Sequence, residues 1–208
     1  MLMCLSEYSI LDEHEDTLKN LSYDSSNDAY ITESCKLAHN FDLIVRDYYT
    51  KIGRGGSIPK SNDVIWWNSN GFMFIEFKNG NLNKSKIKNI ISKNKKSIRA
   101  LKDISNGEVD NDCVKSLGSY LLVYNIDNIN YEIYKTQARE YLHETEINAS
   151  NAKAYLYSKL ARKARIERPV LFGLNCLKEK CKVVVTIEKE EFNNIVEDLE
   201  PDCDFGTF

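Results

Sequence analysis

The seven residues Phe72-Met73-Phe74-Ile75-Glu76-Phe77-Lys78 read as a buried strand that carries a carboxylate and an ammonium two positions apart. Side chains alternate between the faces of a strand. Glu76 and Lys78 therefore share one face, about 6.6–7 Å apart, and Met73, Ile75 and Phe77 take the other. Charges in an apolar strand are costly unless they are paired or bound to a metal, so chemistry is expected here. Just upstream, DVIWW (63–67) and the turn residues NSNG (68–71) complete the pattern of a β-hairpin with this strand. Folding the hairpin brings Asp63 towards Glu76 across the spacing D-x12-E-x-K. Two carboxylates meeting at one point make a hard-oxygen site suited to Mg²⁺ or Mn²⁺. A lysine beside them would orient a nucleophile and offset developing negative charge.

Further out, Ile31, Cys35, Ala38, Phe41, Val45, Tyr48 and Ile52 recur at steps of three and four, which predicts a helix over roughly 30–50. KIGRGGSIP follows as a tightly turning segment. Beyond the turn at Asn79-Gly80, Ile87, Ile91, Ile98 and Leu101 form one helical stripe from Asn83 to about Ile104, interrupted by Asn94. SYLLVYNI has the continuous apolar character of a central strand. Residues 137–166 read as mostly helical, PVLFGL and KVVVTI as an antiparallel pair, and a short acidic helix is expected from about 189. The pattern is one α/β domain over residues 1–208, with helical and β-hairpin additions at about 135–200.

The chain has 208 residues, 42% hydrophobic and 28% charged, and a formal net charge of −3, so a globular core is available and a disordered chain is excluded. No apolar run approaches the ~18 residues of a membrane span, and the N-terminus lacks a basic, then apolar, secretory pattern. The six cysteines are scattered, with no close CxxC pair, so reduced thiols and a cytoplasmic location are expected. His14, His39 and His143 are isolated, and no serine or cysteine has a nucleophile context. Trp66 and Trp67 should face opposite sides of their strand; core or interface use is the simpler expectation over base stacking.

Asp63 before VIWW, the element Glu76-Phe77-Lys78, the helix after it and SYLLVYNI together resemble the PD-(D/E)XK nuclease superfamily over roughly residues 30–126. The resemblance implies a restriction-endonuclease-like core, α-β-β-β-α-β, with a mixed sheet flanked by helices. It implies that Asp63 and Glu76 bind the metal and that Lys78 is catalytic. An acid on the preceding helix often completes such a site, and Glu33 is the candidate for it. The helix after the lysine often adds a polar residue, here Lys93 or Asn94. Asn62 stands where the superfamily motif has proline, and the first strand would have to come from KIGRGGSI.

Charge is segregated. No acid occurs from Phe77 to Lys102, a stretch holding Lys84, Lys86, Lys88, Lys93, Lys95, Lys96 and Arg99, and a second block carries Arg162, Lys163 and Arg165. In a chain of negative net charge this favours a phosphate-binding face for nucleic acid; with the nuclease resemblance DNA is the expected substrate, and RNA stays open because nothing here reads a 2′-hydroxyl. The expected activity is thus a divalent-metal-dependent nuclease. Two other classes compete with it. A catalytically inactive nuclease-like protein would bind nucleic acid without cutting it. A protein-interaction module would use Glu76 and Lys78 as an ordinary surface ion pair, worth about 0–1 kcal/mol.

Overall fold

The computed structural model describes residues 8–80, 84–125 and 180–201, together with 5, 82, 174 and 177. The hairpin forms as expected. Strands β5 (Val64–Trp67) and β6 (Phe72–Asn79) run antiparallel, with Val64 opposite Ile75 and Trp67 opposite Phe72. Asn68 closes the turn: its backbone N–H donates to the Gly71 carbonyl, and its side-chain oxygen accepts from the backbone N–H groups of Asn70 and Gly71.

Around this hairpin lies a six-stranded mixed sheet in the order β1-β4-β5-β6-β7-β8. The outer strands on one side are β1 (Glu15–Thr17) and β4 (Leu37–Asn40), both antiparallel to their neighbours. On the other side β7 (Gly118–Asn125) and β8 (Val183–Glu188) are parallel to β6 and to β7. All eight residues of β7 are buried, as its unbroken apolar sequence predicts. A separate two-stranded ribbon pairs β2 (Tyr23–Asp24) with β3 (Ala29–Tyr30).

Helices cover both faces. The face of Phe72, Phe74, Tyr120, Leu122 and Tyr124 packs against α2 (Phe41–Lys51) and α3 (Lys84–Ile104), through Phe41, Ile44, Val45, Ile87, Ile90, Ile98 and Leu101. The opposite face, with Met73, Ile75, Phe77, Leu121 and Val123, is closed by Leu18 of α1 (Leu18–Leu21) and by Phe192 of α5 (Lys189–Ile195). The seven-residue α4 (Asn111–Leu117) leads directly into β7.

Two expectations are corrected. The helix predicted over 30–50 begins only at Phe41, and residues 37–40 are a strand bonded on both sides, to β1 and β5. Asn40 marks the switch, its side-chain oxygen accepting from the Leu43 N–H at 3.0 Å as an N-cap. From Leu37 strand pairing overrides the three-and-four spacing, with Leu37–His39 paired to β1 and His39–Asn40 to β5. The first antiparallel strand therefore precedes the helix rather than arising from KIGRGGSI, in which Gly55–Ser57 form a 3₁₀ turn. The expected 137–166 helices, Arg162, Lys163 and Arg165, and all but Leu174 of PVLFGL lie outside the described residues. Within them, β8 pairs in parallel with β7. Among the described residues no helix is long and apolar enough to cross a membrane, and Cys35 and Cys181 are free thiols.

Candidate active site

Register brings the two acids together. Asp63 directly precedes β5, and continuing the Val64–Ile75 pairing by one residue sets it opposite Glu76. Its carboxylate ties the strands: Oδ2 accepts from the Phe77 backbone N–H at 2.8 Å, and the Asp63 carbonyl accepts from the N–H of Phe41 at the start of α2. Lys78 Nζ lies 2.5 Å from Glu76 Oε1 and 4.0 Å from Asp63 Oδ2, and also donates to the Phe77 carbonyl at 2.9 Å. Three sequence-predicted residues thus meet at one point, on the face that alternation assigns to Glu76 and Lys78.

A fourth residue joins them from α3. Lys93 Nζ bridges the acids, 2.8 Å from Asp63 Oδ1 and 2.9 Å from Glu76 Oε1. This resolves the choice between Lys93 and Asn94: Lys93 reaches the carboxylates, and Asn94 is fully buried one residue on. Lys93 is accordingly set apart from the other α3 cations; Lys86, Lys88, Lys95, Lys96 and Arg99 are exposed. The side chain of Lys84 is outside the described set.

Burial grades across the cluster. The Glu76 side chain is 0% exposed, Lys93 16%, Asp63 23% and Lys78 27%. Burial, then the Asp63 charge, pushes the Glu76 carboxyl up to about 7 against the opposing pull of Lys78 and Lys93. Burial pulls Lys93 down, but Asp63 and Glu76 outweigh it and raise its ammonium well above the ordinary range. Beneath the pair, burial and then the Glu76 and Asp63 charges raise the Tyr120 hydroxyl. Glu76 Oε2 is buried with no hydrogen-bond partner, as are the side-chain N and O atoms of Asn62 and Asn94 and the Tyr120 hydroxyl.

Outside the cluster opens a cleft of about 370 Å³, walled by Asp24, Asn40, Asp42, Asp63, Lys78 and Asn79 among others. Asp42, in the first turn of α2, is the acid of that helix that walls the cleft. Its Oδ1 accepts from the Ser61 backbone N–H at 3.1 Å and the Ser61 hydroxyl at 2.6 Å, and its charge helps to raise Lys93. Setting the helix start about eleven residues early hid this position from sequence reasoning; the Asn40 cap just before Asp42 is the signal that marks it. Glu33 does not lie on that helix. It sits between β3 and β4, is 74% exposed, and pairs with Lys19 at 2.6 Å.

Other expectations resolve plainly. Trp66 and Trp67 do face opposite ways, Trp66 into the α5-side core and Trp67 against the α2-side core, where it stacks on His39 at a ring separation of 4.0 Å. His39 is half-buried, and burial lowers its pKa against the weaker pull of Glu15. The His14 Nε2–H donates to Asp47 Oδ2 at 2.7 Å. Comparisons of the chain with protein-family models, curated proteins and solved structures find no match.

Proposed function

We propose that the protein is a divalent-metal-dependent phosphodiesterase of the PD-(D/E)XK type that hydrolyses nucleic acid, DNA in preference to RNA. The observation that carries this reading is the convergence of Asp63 and Glu76 from antiparallel neighbours with Lys78 between them at the edge of an acidic cleft. The strand succession also supports it: antiparallel β4, β5 and β6, then α3 and a parallel β7, with α2 after the first strand instead of before it.

Asp63, Asp42 and Glu76 offer the hard oxygens that suit Mg²⁺ or Mn²⁺: Asp63 and Asp42 wall the cleft, and Glu76, fully buried beside Asp63, keeps Oε2 unpartnered. Their oxygens are not gathered into one ligand set in this structure, where the Lys93 ammonium stands between Asp63 and Glu76. When bound, such an ion acidifies water and polarises a phosphoryl oxygen. The chain's own residues do the rest. Asp63 and Glu76 are held by the β5–β6 register, so their geometry is set before substrate arrives. Lys78, on the exposed side of the pair, orients the attacking water and offsets charge on the phosphate. Among the described residues three aspartates wall the cleft against one lysine, so the bare cleft repels a polyanion, and a bound divalent cation would offset that charge.

A specific observation favours a second reading. Lys93 Nζ already bridges both carboxylates, and two acids with two lysines balance in charge without a metal. A cluster locked in that state binds nucleic acid without cleaving it. The deciding experiment is cleavage of circular and linear duplex DNA, single-stranded DNA and RNA with Mg²⁺, Mn²⁺ or EDTA, for wild type, Glu76→Ala and Lys78→Ala. Metal-dependent cutting that both substitutions abolish is expected. Equal behaviour of all three proteins across the panel would sink the catalytic reading.

A further inference from the structure

Helix α3 has a second charged face, and it points away from the carboxylates. At 3.6 residues per turn, Lys95, Arg99 and Lys102 lie roughly 180–240° around the axis from Lys93, so the helix itself separates them from Asp63 and Glu76. Lys95, Ile98, Arg99 and Lys102 follow one another at spacings of three and four, a single ridge. This ridge forms one wall of a pocket of about 190 Å³, whose opposite wall is Asn111 and Lys180. The floor is apolar, at the buried side chain of Ile98. Among the described residues, four cations and an amide thus surround one concavity, and none of the lining is acidic.

Among the described residues none of Lys95, Arg99, Lys102 and Lys180 forms an ion pair. The nearest acids in sequence are directed to other donors: Asp103 Oδ2 accepts from the Tyr49 hydroxyl at 2.6 Å, Glu108 from the Tyr8 hydroxyl, and Asp110 Oδ1 from the Cys113 N–H. Like charges at i,i+3 and i,i+4 destabilise a helix, and a face meant only for solubility would interleave glutamate among the lysines. An arginine fork set between lysines around a small pocket is instead the chemistry of phosphate recognition.

We infer that the α3–Lys180 pocket is a phosphate-binding site, taking linked phosphate groups from a nucleic-acid backbone or from a free polyphosphate. Arg99 supplies the bidentate donor, Lys95, Lys102 and Lys180 the surrounding charge, and Asn111 a neutral donor. The site is separate from the carboxylate cluster and stands whether or not Asp63 and Glu76 cleave anything. It binds without metal.

The test is binding by the full chain in EDTA, where no cleavage can interfere. Tripolyphosphate is titrated by calorimetry, and fluorescent single-stranded DNA is followed by anisotropy with tripolyphosphate as competitor. The triple variant R99Q/K102Q/K180Q is compared with K51Q/R54Q/K60Q, which removes as many exposed charges outside the pocket. Saturable binding that falls about tenfold or more in the pocket variant and little in the other is expected. If the ligand is a nucleic-acid backbone, tripolyphosphate displaces the DNA, and the salt slope of DNA binding becomes shallower by about 0.7 per lost phosphate contact. If it is a free polyphosphate, tripolyphosphate binds at the pocket and leaves the DNA in place. Equal weakening in both triple variants, or no saturable binding by wild type, overturns the inference.

Discussion

At the scale of single residues, the protein places a carboxyl where ionisation is difficult. Glu76 has its proton affinity raised by burial and by Asp63, to about 7 against an ordinary value near 4.5. A group whose folded pKa is raised stabilises the fold most below its unfolded pKa, and that contribution is lost as pH rises through the folded value. The window therefore runs from about pH 4.5 to 7, with a size of order 3 kcal/mol. Urea melts from pH 4.5 to 8 should show wild type losing stability across that window, once the titration of other groups is subtracted using Glu76→Gln. A wild-type curve parallel to that of Glu76→Gln would show that Glu76 ionises normally.

Lys93 gives a complementary prediction. Its removal leaves two adjacent carboxylates, one buried, without their bridging ammonium, so Lys93→Ala should lose about 3 kcal/mol in metal-free buffer. Mg²⁺ or Mn²⁺ can then take the vacated position, and the melting temperature of Lys93→Ala should recover with added divalent cation more than that of wild type. Identical responses in thermal melts would mean that the ammonium and the ion do not share a position.

At the scale of elements, a close approach fixes how α4 enters β7. A Cβ on Gly118 would stand 2.6 Å from Phe72 Cζ and 2.7 Å from the Val114 carbonyl. The φ of −92° is open to any residue, so the demand is for space alone. Gly118→Ala should destabilise the fold by about 1–3 kcal/mol, measured as a shift in urea midpoint with unchanged slope. Because Phe72 begins the strand that carries Glu76, any loss of activity should follow the loss of stability.

At the scale of the whole molecule, the sheet extends beyond the segment 30–126 in which the motif lies. β1 pairs outside β4, and β8 pairs along β7 from Ser119 to Tyr124. Phe192 of α5 packs on Phe77 at a ring separation of 6.1 Å, directly behind the strand that bears the site. Ending the chain after Asn125 would uncover the edge of a fully buried strand and the face of Ile75, Phe77 and Val123. That truncated chain should aggregate or bind a hydrophobic dye strongly, as seen by gel filtration and fluorescence. A monomer that melts cooperatively would show that the segment folds alone.

The same scales divide what could be read from the chain. Local order along one strand or one hairpin was legible: the alternation in FMFIEFK, the NSNG turn, the apolar run of β7 and the stripe of α3 each draw their signal from neighbours in sequence. Those signals sufficed to pair Asp63 with Glu76 and to set Lys78 beside them. The strand at Leu37–Asn40 was not legible, because its partners Glu15–Thr17 and Val64–Ile65 lie far off in sequence and its own spacing also suits a helix. With the helix start went the placement of Glu33 on that helix, where Asp42 stands instead. Which lysine of α3 turns inward, and which four cations close around a pocket, depends on the rotation of that helix against the sheet. The sequence by itself determined the α/β alternation and the convergence of two acids and a lysine, since both follow from periods of two and 3.6 residues. Only the tertiary structure decided that Lys93 bridges those acids and that Lys180 joins Arg99, because contacts between distant segments come from packing, which no local period encodes.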